Sequence, residues 1–154
     1  MKFNSFDGKN IHLFGGSSGI GLAAAKQLAN QGANIFIYAR TEHRLRSASL
    51  EIENHCQNSK QKVVWISVDI SIPEDVRQVI ASTVEKNGKP DILINCAGIQ
   101  YVSSVENFSE KMWEKVMSIN LSSSFYTSKY VLLLMKKNKW GRIINIASTH
   151  GQVA

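Results

Sequence analysis

A glycine-rich turn between a short apolar run and a helix-forming segment constrains the fold of this chain more than any other feature. The apolar run covers residues 11–14, the turn Gly-Gly-Ser-Ser-Gly-Ile-Gly covers 15–21, and the helical segment continues over 22–28. Glycines let the backbone turn tightly and approach a ligand, while a helix N-terminus offers free N–H groups and about half a positive charge. The pattern predicts a site for the phosphates of a nucleotide, although taken alone it also fits an ordinary strand-to-helix turn.

The composition is typical of a globular protein with one domain, residues 1–154. Hydrophobic residues make up 44% of the chain and charged residues 19%, which excludes the disordered and fibrous classes. The N-terminal residues lack the long apolar region of a signal peptide, and the longest aliphatic cluster, residues 130–135, is too short to cross a bilayer. We therefore expect a cytoplasmic protein without a membrane span.

The formal net charge of +6 raises the question of a nucleic-acid partner. The basic residues are spread along the chain without interleaved aromatic residues, so we expect a solvated surface that attracts anionic cofactors, and no nucleic-acid partner. The two cysteines, Cys56 and Cys96, and the four histidines do not have the spacing of metal ligands. The sequence thus predicts neither a disulfide nor a metal site.

Short apolar runs alternate with helical patterns along the whole chain. The runs cover 11–14, 34–38, 63–68, 92–95 and 142–147, and the helical patterns cover 19–31, 42–54, 73–87 and 109–137. Strands separated by helices predict the α/β class, here a doubly wound, Rossmann-type parallel sheet with strand order 3-2-1-4-5. Ligands of such sheets bind beyond the carboxyl ends of the strands. The residues at or just after these ends are Gly15, Arg40, Asp69, Asn95 and Ser148.

Four short motifs follow one another in this framework. They are Phe14-Gly15-Gly16-Ser17-Ser18-Gly19-Ile20-Gly21, Asn95-Cys96-Ala97-Gly98, Ser118-Ile119-Asn120-Leu121 and Ile144-Asn145-Ile146-Ala147-Ser148. In this order they resemble the signatures of the short-chain dehydrogenase/reductase family. The resemblance implies an NAD(P)-dependent oxidoreductase that exchanges hydride between the nicotinamide and a carbon carrying a hydroxyl or keto group. Phe14 departs from the family, which usually has a threonine that braces the glycine turn.

The resemblance also implies a set of cofactor-binding residues: Gly15, Ser17, Ser18, Gly19, Ile20, Gly21, Arg40, Asp69, Asn95, Ala97 and Gly98. Arg40 follows the second strand, at a position where an acidic residue would bind the adenosine ribose. The positively charged guanidinium of Arg40 favours a 2′-phosphate there, and therefore NADP(H). NAD(H) remains the alternative, with Arg40 as a solvated residue at a strand end. Asp69 matches the adenine-binding aspartate of the family, or is a turn or cap residue before the third helix.

The resemblance makes Ser148 and Asn120 the predicted catalytic residues. Ser148 would hydrogen-bond the reacting oxygen of the substrate. Asn120 would hold a water molecule of the proton relay; the alternative is a structural asparagine. At helical spacing Asn120 shares a stripe with Trp113, Met117 and Ser124, and we expect this stripe to face inward.

The family also uses a tyrosine as general acid and base, with a lysine four residues after it. No Tyr-x-x-x-Lys occurs in the 154 residues, and the predicted fifth strand is apolar on both faces, as a strand inside a sheet would be. We therefore expect this sequence to be part of a longer protein. The alternative is a non-catalytic, nucleotide-binding fragment or pseudoenzyme.

The two halves of the chain resemble different members of the family. Residues 8–98 resemble 3-ketosphinganine reductases, and residues 97–154 resemble bacterial D-3-hydroxybutyrate dehydrogenases, in which the residues matching Gln100 and His150 help to hold the substrate carboxylate. A small 3-hydroxy acid, 3-hydroxybutyrate, is the predicted substrate, with 3-ketosphinganine as the alternative. The resemblance further implies a homo-oligomer, a dimer or tetramer, that forms through the long helix and a further helix that these 154 residues do not include.

Overall fold

A computed structural model describes residues 6–148 and contains one parallel sheet. Its strands are β1 (Asn10–Phe14), β2 (Asn34–Ala39), β3 (Val63–Ser67), β4 (Ile92–Asn95) and β5 (Arg142–Asn145). The strands lie in the order β3-β2-β1-β4-β5, so the predicted fold and strand order are confirmed. His150 lies outside the described residues.

In the described part of the chain, five α-helices connect or flank the strands: α1 (Gly19–Ala29), α2 (Glu42–Glu53), α3 (Pro73–Asn87), α4 (Glu110–Met117) and α5 (Ser123–Lys137). A single turn of 3₁₀-helix, Val105–Asn107, precedes α4. Within residues 6–148, no helix combines the length and the apolar composition that crossing a membrane requires.

The chain is helical from Glu110 to Lys137, as the pattern over 109–137 predicts, but the helix is not regular throughout. A π-helical turn, Ser118–Ser122, separates α4 from α5, and the Ser123 N–H donates to the Ser118 carbonyl. A π-turn fits an extra residue into one turn of the helix, so the side chains beyond it change direction. The residues buried on this segment are therefore Ile119, Ser123, Thr127, Val131 and Met135.

The predicted inward stripe is wrong, because α4 buries none of its residues and the buried residues of this segment begin at Ile119. Trp113 is 57% exposed and Asn120 is exposed, while Met117 and Ser124 are only partly buried. The inward face follows the four-residue spacing from Ile119 instead.

Both faces of the three central strands, β1, β2 and β4, are buried, as expected for parallel strands connected by helices. Ile11, Leu13 and Ile35 point to the face covered by α1 and α2, whereas Phe14 and Phe36 point to the face covered by α3 and α5. In the part of the chain that the structure describes, β5 forms one edge of the sheet, and Ile144 on it is 45% exposed. This layering leaves the carboxyl ends of the strands uncovered by helices, and the candidate site lies there.

Candidate functional site

A cleft of about 520 Å³ lies at the carboxyl end of the sheet. This volume falls within the range of about 300–1,000 Å³ that small-molecule and cofactor sites occupy. Predicted cofactor residues that line the cleft are Gly15, Ser17, Ser18, Gly19, Ile20, Arg40, Ala97 and Gly98. The structure therefore brings together the glycine turn, the end of β2 and the segment after β4, although these are far apart in sequence.

Two glycines of the turn, Gly15 and Gly21, lie so close to their neighbours that a side chain on either would collide with backbone atoms. Gly15 has a φ of 91°, and a Cβ atom on it would lie 2.5 Å from the backbone nitrogen of Ala97. A Cβ on Gly21 would overlap the carbonyl oxygen of Gly15. Gly21 itself is buried and does not line the cleft; its role in the structure is to let α1 approach the turn.

Phe14 takes no part in the lining of the cleft. Its ring is buried on the α3 and α5 side of the sheet and stacks on Tyr38, with 4.2 Å between the centroids and 9° between the planes. The N–H of Gly15 donates to the Tyr38 carbonyl at 2.8 Å. A backbone hydrogen bond to β2 thus braces the turn that follows Phe14.

The cleft is electropositive. Arg40 and Arg44 are the only charged side chains among the described residues that line it. Sequence analysis singled out Arg40 but missed Arg44, which lies in the first turn of α2. The signal that could have found it is its four-residue spacing from Arg40 across the helix start, because the bend at Thr41 brings both residues to one cleft.

Asp69 follows β3 and lies outside the residues that line the cleft. Its carboxylate accepts hydrogen bonds from the Ser71 N–H at 3.0 Å and from the Ser71 hydroxyl at 2.7 Å. Partial burial opposes ionisation of this carboxyl, but the Ser71 hydrogen bonds and the charges of Arg40 and Lys115 outweigh burial and lower the pKa. Asp69 is therefore an ionised turn residue before α3, within electrostatic reach of Arg40; adenine binding by Asp69 stays a prediction.

Asn95, at the end of β4, is buried beneath the cleft rather than exposed in it. Its Nδ2 donates to Asn145 Oδ1 at 2.8 Å, and its Oδ1 accepts from the Thr127 hydroxyl at 2.8 Å. These bonds tie β4 to β5 and to α5. Asn95 thereby fixes the direction in which the chain leaves β4 toward Ala97 and Gly98.

Asn120 lies within the π-turn and clamps the segment after β4. Its Nδ2 donates to the Ile99 carbonyl and its Oδ1 accepts from the Ile99 N–H, each at 2.8 Å. Ile99 lines the cleft. The side-chain amide of Asn120 therefore positions the wall of the cleft. Its role in a proton relay stays a prediction.

The remaining predicted residues are less enclosed. Ser148 and Gln100 are both exposed, and neither lines the cleft. Cys96 does line it, and burial raises the pKa of its thiol, so the thiol stays protonated at neutral pH. Among residues 6–148, no group of three or more histidine, cysteine, aspartate or glutamate side chains is placed to hold a metal ion.

Comparisons with known proteins place this geometry in a family. The family model for short chain dehydrogenases matches residues 9–154. The D-beta-hydroxybutyrate dehydrogenase of Rhizobium meliloti is 39% identical over 147 residues, which are 95% of this chain and 56% of that protein. The 3-ketodihydrosphingosine reductase of Bos taurus is 41% identical over 147 residues, which are 95% of this chain and 44% of that protein.

A solved structure agrees with these matches. The L-sorbose reductase of Gluconobacter frateurii, crystallised with NADPH and L-sorbose, matches with a TM-score of 0.87 at 29% identity, over 94% of this chain and 54% of that one. The chain spans about half the length of the curated relatives that it matches. The resemblance predicted from four motifs is thus confirmed: the chain belongs to the short-chain dehydrogenase family.

Proposed function

We propose that this chain binds NADP(H) in the cleft at the carboxyl end of the sheet, as part of an oxidoreductase that acts on a 3-hydroxy or 3-keto carbon. The observation that carries the proposal is the combination of a glycine-rich turn at the N-terminus of α1, packed against the segment after β4, and a lining whose only described charges are two arginines. When bound, the nicotinamide supplies the hydride exchange, while the protein orients it and the substrate.

Each part of the cleft suits one part of the cofactor. The turn from Gly15 to Ile20 and the start of α1 would hold the pyrophosphate, because the first N–H groups of a helix have no partner within the helix and the helix dipole favours anions. Small residues after β4, Ala97 and Gly98, leave a flat surface for a ribose or ring. Arg40 would bind the 2′-phosphate, which makes NADP(H) the favoured cofactor and NAD(H) the alternative.

For the reaction, Ser148 would hydrogen-bond the substrate oxygen, and Asn120 would contribute to the proton relay. Gln100 and His150 would bind a substrate carboxylate, which favours D-3-hydroxybutyrate. Reduction of 3-ketosphinganine is the alternative, supported by the similar identity of a 3-ketodihydrosphingosine reductase. Because no Tyr-x-x-x-Lys occurs in these 154 residues, a non-catalytic, nucleotide-binding role is the third candidate.

Cofactor binding is tested by titrating the purified chain with NADPH and NADH and following nicotinamide fluorescence. We expect both to bind, with NADPH the tighter. Ser18→Glu places a negative charge at the proposed pyrophosphate position, and it should weaken both ligands about tenfold or more through like-charge repulsion. An acidic residue is favourable near a helix N-terminus, so this variant should fold.

Ser47→Glu is the matched control, since it adds the same charge on the exposed side of α2, outside the cleft. Equal weakening by both substitutions would place the dinucleotide elsewhere. Tighter binding of NADH than of NADPH would overturn the preference assigned to Arg40.

The reaction is tested with the full-length gene product, by following the absorbance of the reduced cofactor with D-3-hydroxybutyrate and with 3-ketosphinganine. A faster rate with one of them identifies the substrate class, and Ser148→Ala should reduce that rate strongly. A coding sequence that continues beyond Ala154 with Tyr-x-x-x-Lys in frame supports the enzyme. Cofactor binding without turnover of any 3-hydroxy or 3-keto compound would leave the non-catalytic role.

We further propose self-association through the face formed by α4 and α5. Large apolar side chains are exposed on it: Trp113 at 57%, Phe125 at 62% and Leu133 at 63%. Phe125→Glu should therefore shift the sedimentation coefficient toward that of a monomer. Leu50→Glu, at a position 58% exposed on α2, should not, and a wild-type chain that sediments as a monomer would refute the proposal.

A further inference from the structure

We infer that the end of the sheet opposite the cleft carries a docking surface for an anionic lipid membrane. The surface, here called the basic groove, lies between the C-terminal end of α5 and the start of β5 and has a volume of about 420 Å³. Three cations, Lys136, Lys139 and Arg142, line it together with Trp140 and the aliphatic side chain of Leu132. The inference goes beyond the proposed function, because it concerns a different face of the protein.

The cations of the basic groove are not neutralised by the protein. Among the described residues, none of Lys136, Lys139 and Arg142 takes part in a salt bridge, and no carboxylate lines the groove. Asp91, whose carbonyl accepts from the Arg142 N–H at 3.1 Å, has its carboxylate paired with Lys9, with 3.6 Å between Oδ1 and Nζ. The groove therefore presents positive charge to the solvent and attracts anionic surfaces.

Apolar side chains are exposed beside these cations. Trp140 is 40% exposed and Leu132 is 41% exposed. Lys9 Nζ lies 4.4 Å and the Arg142 guanidinium carbon 5.4 Å from the centre of the Trp140 ring, within the range of cation–π contacts. Tryptophan prefers the headgroup level of a membrane, and acidic lipids attract clusters of lysine and arginine. Nucleic acid would match the charge but would leave the Leu132 side chain in water, so the composition of the groove favours lipid.

Lys139 adopts a backbone conformation that glycine would adopt more easily. Its φ is 54°, and it is the only residue other than glycine with a positive φ in the described part of the chain. The Trp140 N–H donates to the Met135 carbonyl and the Lys139 N–H to the Lys136 carbonyl, as in a Schellman motif, where glycine usually stands at this position. A side chain in the left-handed region costs folding free energy. Such a cost is expected where the residue serves binding rather than stability.

The fold places the basic groove and the cleft at opposite ends of the strands. Lys9 precedes β1 and Arg142 begins β5, whereas the cleft lies at the carboxyl ends of the strands. A protein bound to a membrane through the groove would therefore keep the cleft open to water. We expect vesicles to leave the affinity for NADPH unchanged.

The test measures sedimentation of the full-length gene product with vesicles of phosphatidylcholine alone and of an equal mixture of phosphatidylcholine and phosphatidylserine. Binding to the mixed vesicles should be about tenfold tighter or more, and raising the ionic strength should weaken it, because salt screens exposed charges. The double variant Lys136→Gln with Lys139→Gln should weaken this binding about tenfold or more, since each cation near an acidic surface contributes about fivefold. Trp140→Ala should weaken binding without changing its dependence on salt.

Two further variants separate the groove from the net charge and from stability. The double variant Lys60→Gln with Lys111→Gln removes the same charge at exposed positions outside the groove, between α2 and β3 and on α4, and should bind as the wild type does. Lys139→Gly should raise the midpoint of urea unfolding but weaken binding to the mixed vesicles about fivefold. A lysine with only a structural role would not move the two measurements in opposite directions.

Equal binding to the two kinds of vesicle, or binding to neither, would refute the lipid surface. Equal weakening by the two double variants would also refute it, because the net charge rather than the groove would then govern binding. If the wild type retards a single-stranded RNA but does not bind the mixed vesicles, and only the groove variant abolishes the retardation, the groove binds nucleic acid and the lipid assignment is overturned. A failure of NADPH titration would refute the proposed function and leave the vesicle result intact.

Discussion

Lowering the pH should destabilise this protein through one buried histidine, His12, in the middle of β1. The imidazole is fully buried, stacks on Phe36 with 4.7 Å between the centroids, and is hydrogen-bonded through Nδ1 to the Tyr38 hydroxyl at 2.8 Å. Its Nε2 has no hydrogen-bond partner among the described residues. Ionising this ring in the folded state would place a positive charge among apolar side chains, with one N–H unpaired.

The magnitude follows from the pKa of His12 in the two states. Burial lowers this pKa from its ordinary value of 6.5 to about 3 in the folded protein. The unfolded chain therefore takes up the proton first as the pH falls, and the free energy of unfolding decreases from about pH 6.5 downward. At about 1.4 kcal/mol per pH unit, the loss is about 2 kcal/mol at pH 5 and about 3 kcal/mol at pH 4.

This loss is a large part of the roughly 5–15 kcal/mol that stabilises a typical domain. It also concerns the candidate site, because Tyr38, the partner of His12, lines the cleft and its carbonyl braces the glycine turn. Burial raises the pKa of the Tyr38 phenol above its usual value, so this group remains a neutral partner over the same pH range. We therefore expect dinucleotide binding to weaken in the pH range in which unfolding begins.

The assay is urea unfolding followed by far-UV circular dichroism at pH 7 and pH 5, for the wild type and for His12→Phe. Phenylalanine keeps a flat ring between its aromatic neighbours but cannot take up a proton. We expect the wild type to lose about 2 kcal/mol more than the variant over this interval. His43→Gln, at an exposed position on α2, is the control and should behave as the wild type does.

Equal losses for the wild type and His12→Phe would refute this reasoning. A second measurement applies even if the variant folds poorly. In the NMR spectrum of the folded wild type, the carbon chemical shifts of the His12 imidazole ring should not change between pH 7 and pH 5. A titration of these shifts with a midpoint near pH 6.5 would contradict the burial argument.

Three further substitutions test the structure around the cleft. Gly21→Ala should destabilise the protein by about 1–3 kcal/mol and weaken dinucleotide binding, because the added methyl overlaps the Gly15 carbonyl; urea unfolding and fluorescence titration measure this. Asn120→Ala removes two hydrogen bonds to the segment after β4, which should cost about 1–2 kcal/mol and accelerate amide hydrogen exchange there. Thr127→Val leaves the buried Asn95 oxygen without its 2.8 Å donor and should cost about 1–3 kcal/mol in urea unfolding.

Each of these variants has a matched control in the same region. The controls are the exposed Ala23→Ser on α1, Asn107→Ala in the 3₁₀ turn and the partly buried Ser128→Ala on α5. Each control should change the stability by less than about 0.5 kcal/mol. A control as damaging as its partner would show that the helix or turn itself, rather than the named contact, determines the effect.

The strands could be predicted well because each is a short apolar run that ends at polar or glycine-containing segments. The strand ends differ from the prediction by at most two residues, and the order of the strands is as expected. The segment over 109–137 is helical as predicted, but its inward face was predicted wrongly. Its residues favour helix throughout, and the π-turn lies where Ile119 enters the core and Asn120 bonds to Ile99, which helix periodicity does not encode.

The residues of the candidate site also differ in how well the sequence predicts them. The glycine turn and Arg40 lie in a local pattern that sequence alone displays, and both line the cleft. Arg44 belongs to no motif of its own. Its four-residue spacing from Arg40 becomes informative only with the bend at Thr41, which brings both residues to one cleft.

The sequence by itself determined the family, the sheet and its strand order, because glycine spacing and apolar runs limit the backbone directly. The tertiary structure decided which polar residues face the cleft and which support it from behind, as Asn95 and Asn120 do. The physical reason is that these amides bond to residues of distant segments, Asn145 and Ile99, and those partners come within reach only once the sheet and helices have packed.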